Sequence, residues 1–190
     1  GTVESATPGV PRLWAPYVAI PASAFTTGTG NRAGVRAEYW DNITLSGAPN
    51  VTRTDPDLAF AWTLVSPAAG LPFDWYSARW NGTVTAPAGG VRTLAVEGND
   101  GYRLYVDERL VIDNWQKVSY GTRTVTVDFA PRSKHAIRLE YHETTGTARL
   151  RLMWDAGVRD PHPGAIAEAV RLARASDVAV IVAGIEEGEF

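Results

Sequence analysis

Between residues 35 and 154 the sequence is built of short segments in which every second residue is apolar, and this period of two is its strongest constraint on the fold. Val35, Ala37 and Tyr39 alternate with polar or wider residues, as do Ala78, Trp80, Gly82 and Val84, and then Tyr102, Leu104 and Val106. The pattern is plainest in Val125, Val127 and Phe129, in Ile137, Leu139 and Tyr141, and in Ala148, Leu150, Leu152 and Trp154. Successive side chains of a strand point to opposite faces, so each segment offers one face to a core and the other to water. Turn signals space the segments at Asn81-Gly82, Ala88-Gly89-Gly90, Asn99-Asp100-Gly101 and Thr145-Gly146. Together they predict a mainly β fold, an antiparallel β-sandwich or barrel, with no helix in this part.

Two flanks differ from this body. Residues 1–33 carry Pro8, Pro11, Pro16 and Pro21 and then a Gly/Thr/Asn-rich stretch, which reads as an extended lead-in anchored by Trp14 and Tyr17. The sandwich is expected over residues 34–157. After a stiff Pro161-His162-Pro163-Gly164 hinge, Ala165, Ile166, Ala169, Val170, Leu172 and Ala173 recur at helical spacing. Residues 178–183 are then apolar on both faces, as in a strand buried in a parallel sheet. Residues 158–190 therefore read as a helix and strand of an α/β domain, a fragment that cannot bury itself.

The charge balance of 18 basic and 21 acidic residues has no block of five or more of either sign, which argues against nucleic acid and against an anionic membrane as partner. The longest apolar run, residues 178–185, is far short of the roughly 20 residues of a membrane helix. With no signal or membrane segment in these residues, the compartment, secreted or cytoplasmic, stays open. No cysteine is present, and His135, His142 and His162 lack the spacing of a metal site, so no metal is expected.

Read as a string, Arg79-Trp80-Asn81-Gly82, then residues 99–107 (NDGYRLYVD), then Val111-Ile112-Asp113-Asn114-Trp115 is similar to the protective antigen module. That family runs from a tryptophan-x-glycine strand through an acidic-acidic-glycine turn to a valine-aspartate hairpin. Residues 37–42 and 150–154 resemble its first and last strands. The tail, with Ala175-Ser176-Asp177 leading into the apolar run and Gly184-Ile185-Glu186-Glu187-Gly188-Glu189-Phe190 after it, resembles the second domain of family-three glycoside hydrolases. Protective antigen modules are inserted in that domain of β-glucosidases, and the order here matches.

These resemblances imply a retaining β-glucosidase as parent, an enzyme type that works with two carboxylates about 5–5.5 Å apart. By register with the family's acidic loop, Glu189 is the candidate acid/base and Glu187 the second candidate, while the nucleophile lies outside these residues; the chain alone is not expected to be active. Lectin-like members of the module bind calcium through two adjacent aspartates at the turn now occupied by Asn99 and Asp100. With one carboxylate missing, calcium is not expected, and no other cofactor is implied. The plain reading has Asp100 capping a turn and Gly101 supplying positive φ.

Most of the seven tryptophans and seven tyrosines fall on strands and read as core. The better candidates for contact with a glycoside lie in loops: Phe73, Asp74, Trp75 and Tyr76, with Asp100, Lys117 and Tyr120. The expected function is thus an accessory, carbohydrate-facing module that shapes the entrance of a β-glucosidase, with the rest of that hydrolase and a carbohydrate as partners. Two alternatives stand beside it: a stand-alone carbohydrate-binding or adhesin module without catalysis, and a purely structural insert.

Overall fold

The computed structural model describes residues 17–28, 32–63, 65–116, 119–158, 164–178 and 180. It divides into two compact units, Pro16–Val158 and a second made of Gly1–Ala15 with Arg159–Phe190. In the first, twelve strands follow in chain order: β1 Val18–Ala19, β2 Phe25–Thr26, β3 Val35–Trp40, β4 Val51–Asp55, β5 Ala59–Ala61 and β6 Tyr76–Thr85. The rest are β7 Gly90–Gly98, β8 Gly101–Val106, β9 Arg109–Asn114, β10 Gly121–Phe129, β11 Lys134–Glu143 and β12 Arg149–Trp154. One sheet has the order β1-β12-β7-β10, with β5 also on β12; the other runs β4-β3-β6-β11-β8-β9, with β2 also on β6. Every pairing between these strands is antiparallel. This is the mainly β sandwich that the alternation predicts.

The alternation becomes the core directly. Tyr76, Ala78, Trp80 and Val84 on β6, Ile137, Leu139 and Tyr141 on β11, and Tyr102 and Leu104 on β8 all turn inward and are buried. Aromatic rings interlock there: Phe60 stacks on Trp80 at 5.0 Å and on Trp62 at 4.5 Å, and Tyr39 meets Trp80 edge-on at 5.8 Å. Such pairs add about 0.5–1.5 kcal/mol each beyond their burial. Asp55 is buried among them and takes hydrogen bonds from Tyr39 Oη at 2.5 Å, Trp80 Nε1 at 2.8 Å and Arg53 Nε at 2.6 Å.

Two turn readings are corrected. Asn81-Gly82 lies in the middle of β6, where Gly82 is needed because a Cβ would stand 2.7 Å from Val35 Cγ1. At the Asn99-Asp100-Gly101 turn the positive φ falls on Asp100, at 55°, and not on Gly101. Short polar side chains tolerate this conformation better than most residues do. The lead-in supplies strands β1 and β2, so part of it belongs to the sandwich.

In the second unit, helix α1, Ala165–Ala175, forms where the helical spacing predicts it. The buried strand expected over residues 178–183 is not seen at the described positions: Val178 and Val180 lie in no strand and are 77% and 85% exposed. An apolar run becomes a buried strand only when neighbouring strands take up its backbone hydrogen bonds; residues 179 and 181–183 of this run lie outside the described residues. Among the described residues no helix is long and apolar enough to cross a membrane.

The strand directions decide what lies at each end. The links β3–β4, β5–β6, β7–β8, β9–β10 and β11–β12 all leave from one end of the sandwich, and four of them cross between the sheets. At the other end Val18 pairs with Trp154, so the chain enters and leaves the sandwich there. The five links form a loop end that faces away from both connections.

Candidate functional site

The loop end gathers segments that are far apart in sequence, and the residues singled out at 73–76, 100 and 120 all belong to it or border it. Phe73 and Trp75 are exposed, at 63% and 56%, although both are large aromatic residues. Trp75 has φ 63°. A bulky residue in the left-handed region is an outlier that costs on the order of 1–3 kcal/mol and persists only where its surroundings impose it. Leu71, buried just before, and Asp74, whose Oδ1 accepts the Gly146 N–H at 3.2 Å, impose it here. Tyr76 begins β6 and is completely buried, so its ring faces the core.

Beneath these rings lies a buried polar layer. Asp100 is 1% exposed; its Oδ2 accepts the Thr144 N–H at 3.1 Å and its Oδ1 the Thr144 hydroxyl at 3.3 Å. Asn99 donates to the Thr147 carbonyl and accepts the Arg149 N–H at 2.8 Å, which ties the β7–β8 turn to the β11–β12 link. Glu143 is fully buried and accepts from Tyr141 Oη at 2.6 Å. Burial pushes its carboxyl up to about 8; the nearby Asp100 and Asp74 act in the same direction and the Tyr141 hydrogen bond against it. The Tyr76 hydroxyl and Glu143 Oε1 are buried with no hydrogen-bond partner. Glu143 was not singled out from sequence, although it continues the inward series 137, 139 and 141 on β11, where a carboxylate stands out.

Tyr120 is 45% exposed at the border of the loop end, where its hydroxyl accepts from Arg151 Nη2 at 3.3 Å and Arg149 lies 5.9 Å from its ring. Lys117, Glu187 and Glu189 lie outside the described residues.

The turn does not suit a calcium ion, which takes 6–8 oxygen ligands. Asn99 Oδ1 and both Asp100 oxygens are already committed to protein donors, and Asp100 is closed to solvent. Among the described residues no three His, Cys, Asp or Glu side chains could hold a metal. The arrangement leaves the Phe73 and Trp75 rings exposed on a loop that Asp74 ties to Gly146.

The chain is similar to several known proteins. The model of the PA14 domain matches residues 31–157. The anti-sigma-I factor RsgI3 of Acetivibrio thermocellus is 32% identical over 131 residues, 69% of this chain and 20% of that protein. A solved anti-sigma factor domain-containing protein from Clostridium clariflavum is also 32% identical, with TM-score 0.60, over 64% of this chain and 41% of that one. The chain thus spans about a fifth of the curated relative and about two fifths of the solved one. A PA14 sugar-binding domain from an RTX adhesin, 16% identical with TM-score 0.50, covers 66% of this chain and 92% of that one and shows the fold alone.

These findings overturn the β-glucosidase reading. The relatives that are 32% identical to this chain over the matched region are named as anti-sigma factors, so no catalytic parent and no hydrolase partner is indicated. A solved β-glucosidase from Kluyveromyces marxianus shares the fold, with TM-score 0.62 over 82% of this chain and 21% of that one, at only 13% identity. With the hydrolase goes the acid/base role of Glu189 and Glu187, which needed a nucleophile from that parent, and the role of shaping a catalytic entrance. An apolar run followed by acidic residues is too common a pattern to carry a family by itself.

Proposed function

This chain belongs to the PA14 domain family, and on that premise we propose that it is a non-catalytic carbohydrate-recognition module, the ligand-binding part of a longer protein, whose glycan docks at the loop end. One observation carries the reading: the Trp75 ring is held out in solvent, beside Phe73, by a backbone conformation that costs stability. A flat exposed ring suits the apolar face of a pyranose, while Asp74 and the β11–β12 link offer polar groups to its hydroxyls. Tyr120 extends the surface on the side of the β9–β10 link, and Asp100 and Tyr76 support it from below.

Two similarities lend weight. A structure of the same fold is named as a sugar-binding domain of an adhesin. The relatives of higher identity are named as anti-sigma factors, which suits a module that feeds ligand binding into a regulatory protein. The loop end, facing away from both chain connections, is placed for such an input.

The test is a glycan array with the full chain, followed by calorimetry on the sugars retained. Saturable binding is expected without added metal, weakened about tenfold or more in Trp75→Ala, the loss of a central aromatic anchor. An array without any saturable ligand would sink the proposal, and so would a Trp75→Ala/Phe73→Ala variant that binds as the parent does.

A further inference from the structure

The outer face of the seven-stranded sheet, remote from the loop-end rings, carries a groove of about 410 Å³ lined by Arg36, Asn81, Thr83, Tyr105, Ala136 and Arg138, with Thr27 and Glu108 at its margins. Its volume lies within the range of about 300–1,000 Å³ of small-ligand sites. The cause is the cross-strand pattern. Arg36 pairs in register with Asn81, Asn81 with Arg138, and Arg138 with Tyr105, so one row across four strands reads arginine, asparagine, arginine, tyrosine. In the next row Thr83 pairs with Ala136, and these short side chains leave the floor open between long neighbours.

Arg138 is the unusual member. Its guanidinium lies 3.8 Å from the Tyr105 ring centroid, which fixes its plane. Its carboxylate neighbours are too far to hydrogen-bond: Glu140 is 3.6 Å away and already held by Arg79 at 3.0 Å, and Glu108 is 3.9 Å away. Its Nε is buried without a hydrogen-bond partner. By contrast the adjoining row, Glu38, Arg79, Glu140, Arg103 and Asp113, alternates in sign from strand to strand. There Arg79 and Arg103 each meet a carboxylate, at 3.0 and 3.1 Å. With Nε closed to solvent, the terminal Nη groups are the donors left to meet a ligand, and a stacked guanidinium is preorganised to present both to one oxyanion.

We propose that this groove is a second ligand site, for a saccharide bearing an oxyanion, either a uronate carboxylate or a sulfate ester. Arg138 grips the oxyanion, Arg36, which also meets Glu38 at 2.9 Å, brings a second guanidinium to the groove, and Asn81 and Thr83 meet neighbouring hydroxyls. The choice of a saccharide rests on the function proposed above; the choice of an anion rests on Arg138 alone. Glu108 opposes the anion, but its side chain is 84% exposed and its field is screened.

Calorimetry on the full chain with a hexuronate trisaccharide, its methyl ester, a sulfated neutral trisaccharide and inorganic sulfate decides the matter. The uronate or the sulfated sugar should bind, with the ester about tenfold weaker or worse than the acid, the loss of one charge-assisted hydrogen-bonded pair. Arg138→Gln should weaken that binding about tenfold and Arg36→Gln severalfold, Glu108→Gln should strengthen it, and Trp75→Ala should leave it unchanged. Arg36 and Glu108 are exposed, so their variants keep the test open if Arg138→Gln fails to fold. Whichever charged sugar binds tighter identifies the source of the oxyanion. Inorganic sulfate binding as tightly as either sugar overturns the saccharide. Equal binding of acid and ester, or no binding of either charged sugar, overturns the site. Charged-sugar binding lost in Trp75→Ala but kept in the arginine variants moves the ligand to the loop end: it overturns this inference and leaves the proposed function standing. The reverse pattern, with no neutral glycan bound, keeps the groove and removes the loop-end reading.

Discussion

The carboxylate of Asp74 accepts the backbone N–H of Gly146 at 3.2 Å, and this bond joins the aromatic loop before β6 to the link between β11 and β12. The two residues are 72 positions apart, so the bond fixes the placement of Phe73 and Trp75 and not merely a local turn. Asp74→Ala is expected to weaken glycan binding at the loop end, with about 0.5–1.5 kcal/mol lost in stability, the usual net worth of one hydrogen bond. Urea denaturation together with calorimetry checks both. A large stability loss with unchanged affinity would show the bond to be structural only.

Trp75 separates the two properties in the other direction. Its φ of 63° is one that glycine adopts freely. Trp75→Gly is therefore expected to abolish loop-end binding while thermal stability holds or rises, because relief of about 1–3 kcal/mol of strain offsets the added chain entropy. A clear fall in Tm would mean that the exposed ring stabilises the fold more than its backbone strains it.

How much of this was readable in advance depended on whether a residue's partners were local. Val125 to Phe129, Ile137 to Tyr141 and Leu150 to Trp154 announce β10, β11 and β12, because alternation along one strand needs no knowledge of its neighbours. β7 escaped that pattern since Leu94, Ala95 and Val96 are all buried, in a strand paired on both sides. β4 escaped it because its inward end is Asp55, a carboxylate where the pattern wants an apolar residue. The aromatic loop was visible from composition, but its meeting with Gly146 follows from the sandwich topology alone. The reading of the tail as a hydrolase fragment failed for the complementary reason: a helix and an apolar run are locally clear in many unrelated folds.

Asp55 makes a sharp stability test. It is 4% exposed and takes hydrogen bonds from Tyr39, Trp80 and Arg53. Asp55→Ala leaves the Trp80 indole and the Tyr39 phenol without an acceptor and Arg53 without its counter-charge, so about 3–5 kcal/mol should be lost. Tyr39→Phe removes one bond and keeps the ring, and should cost about 1 kcal/mol. Comparable losses in the two variants, measured by urea denaturation, would contradict a central role for the carboxylate.

Glu143 predicts a pH dependence. Its carboxyl is pushed up to about 8 by burial, against about 4.3 in an unfolded chain. The folded state therefore holds the proton over a range where the unfolded state has lost it. Its contribution to stability is full below about pH 4 and is lost as pH rises through about 8, a change on the order of a few kcal/mol. Unfolding free energies at several values between pH 5 and 9 should fall more steeply for the parent chain than for Glu143→Gln, which keeps the shape without the charge. Parallel curves for the two proteins would exclude Glu143 as the source.

Gly101 lies directly under the imidazole of His142, its partner in register on β11, and a Cβ at position 101 would overlap the ring. The ring is pinned from the other side by Trp115, edge-on at 4.7 Å, so it has no easy way to yield. Burial also holds His142 below the usual imidazole range, so its neutral form is favoured there. Gly101→Ala is expected to cost about 1–3 kcal/mol by overpacking. His142→Ala in the same chain should recover part of that loss, because it removes the atoms that the new methyl meets. The double-mutant cycle tests this contact specifically: strictly additive effects would place the cost of the alanine in the backbone of β8 and not against the histidine.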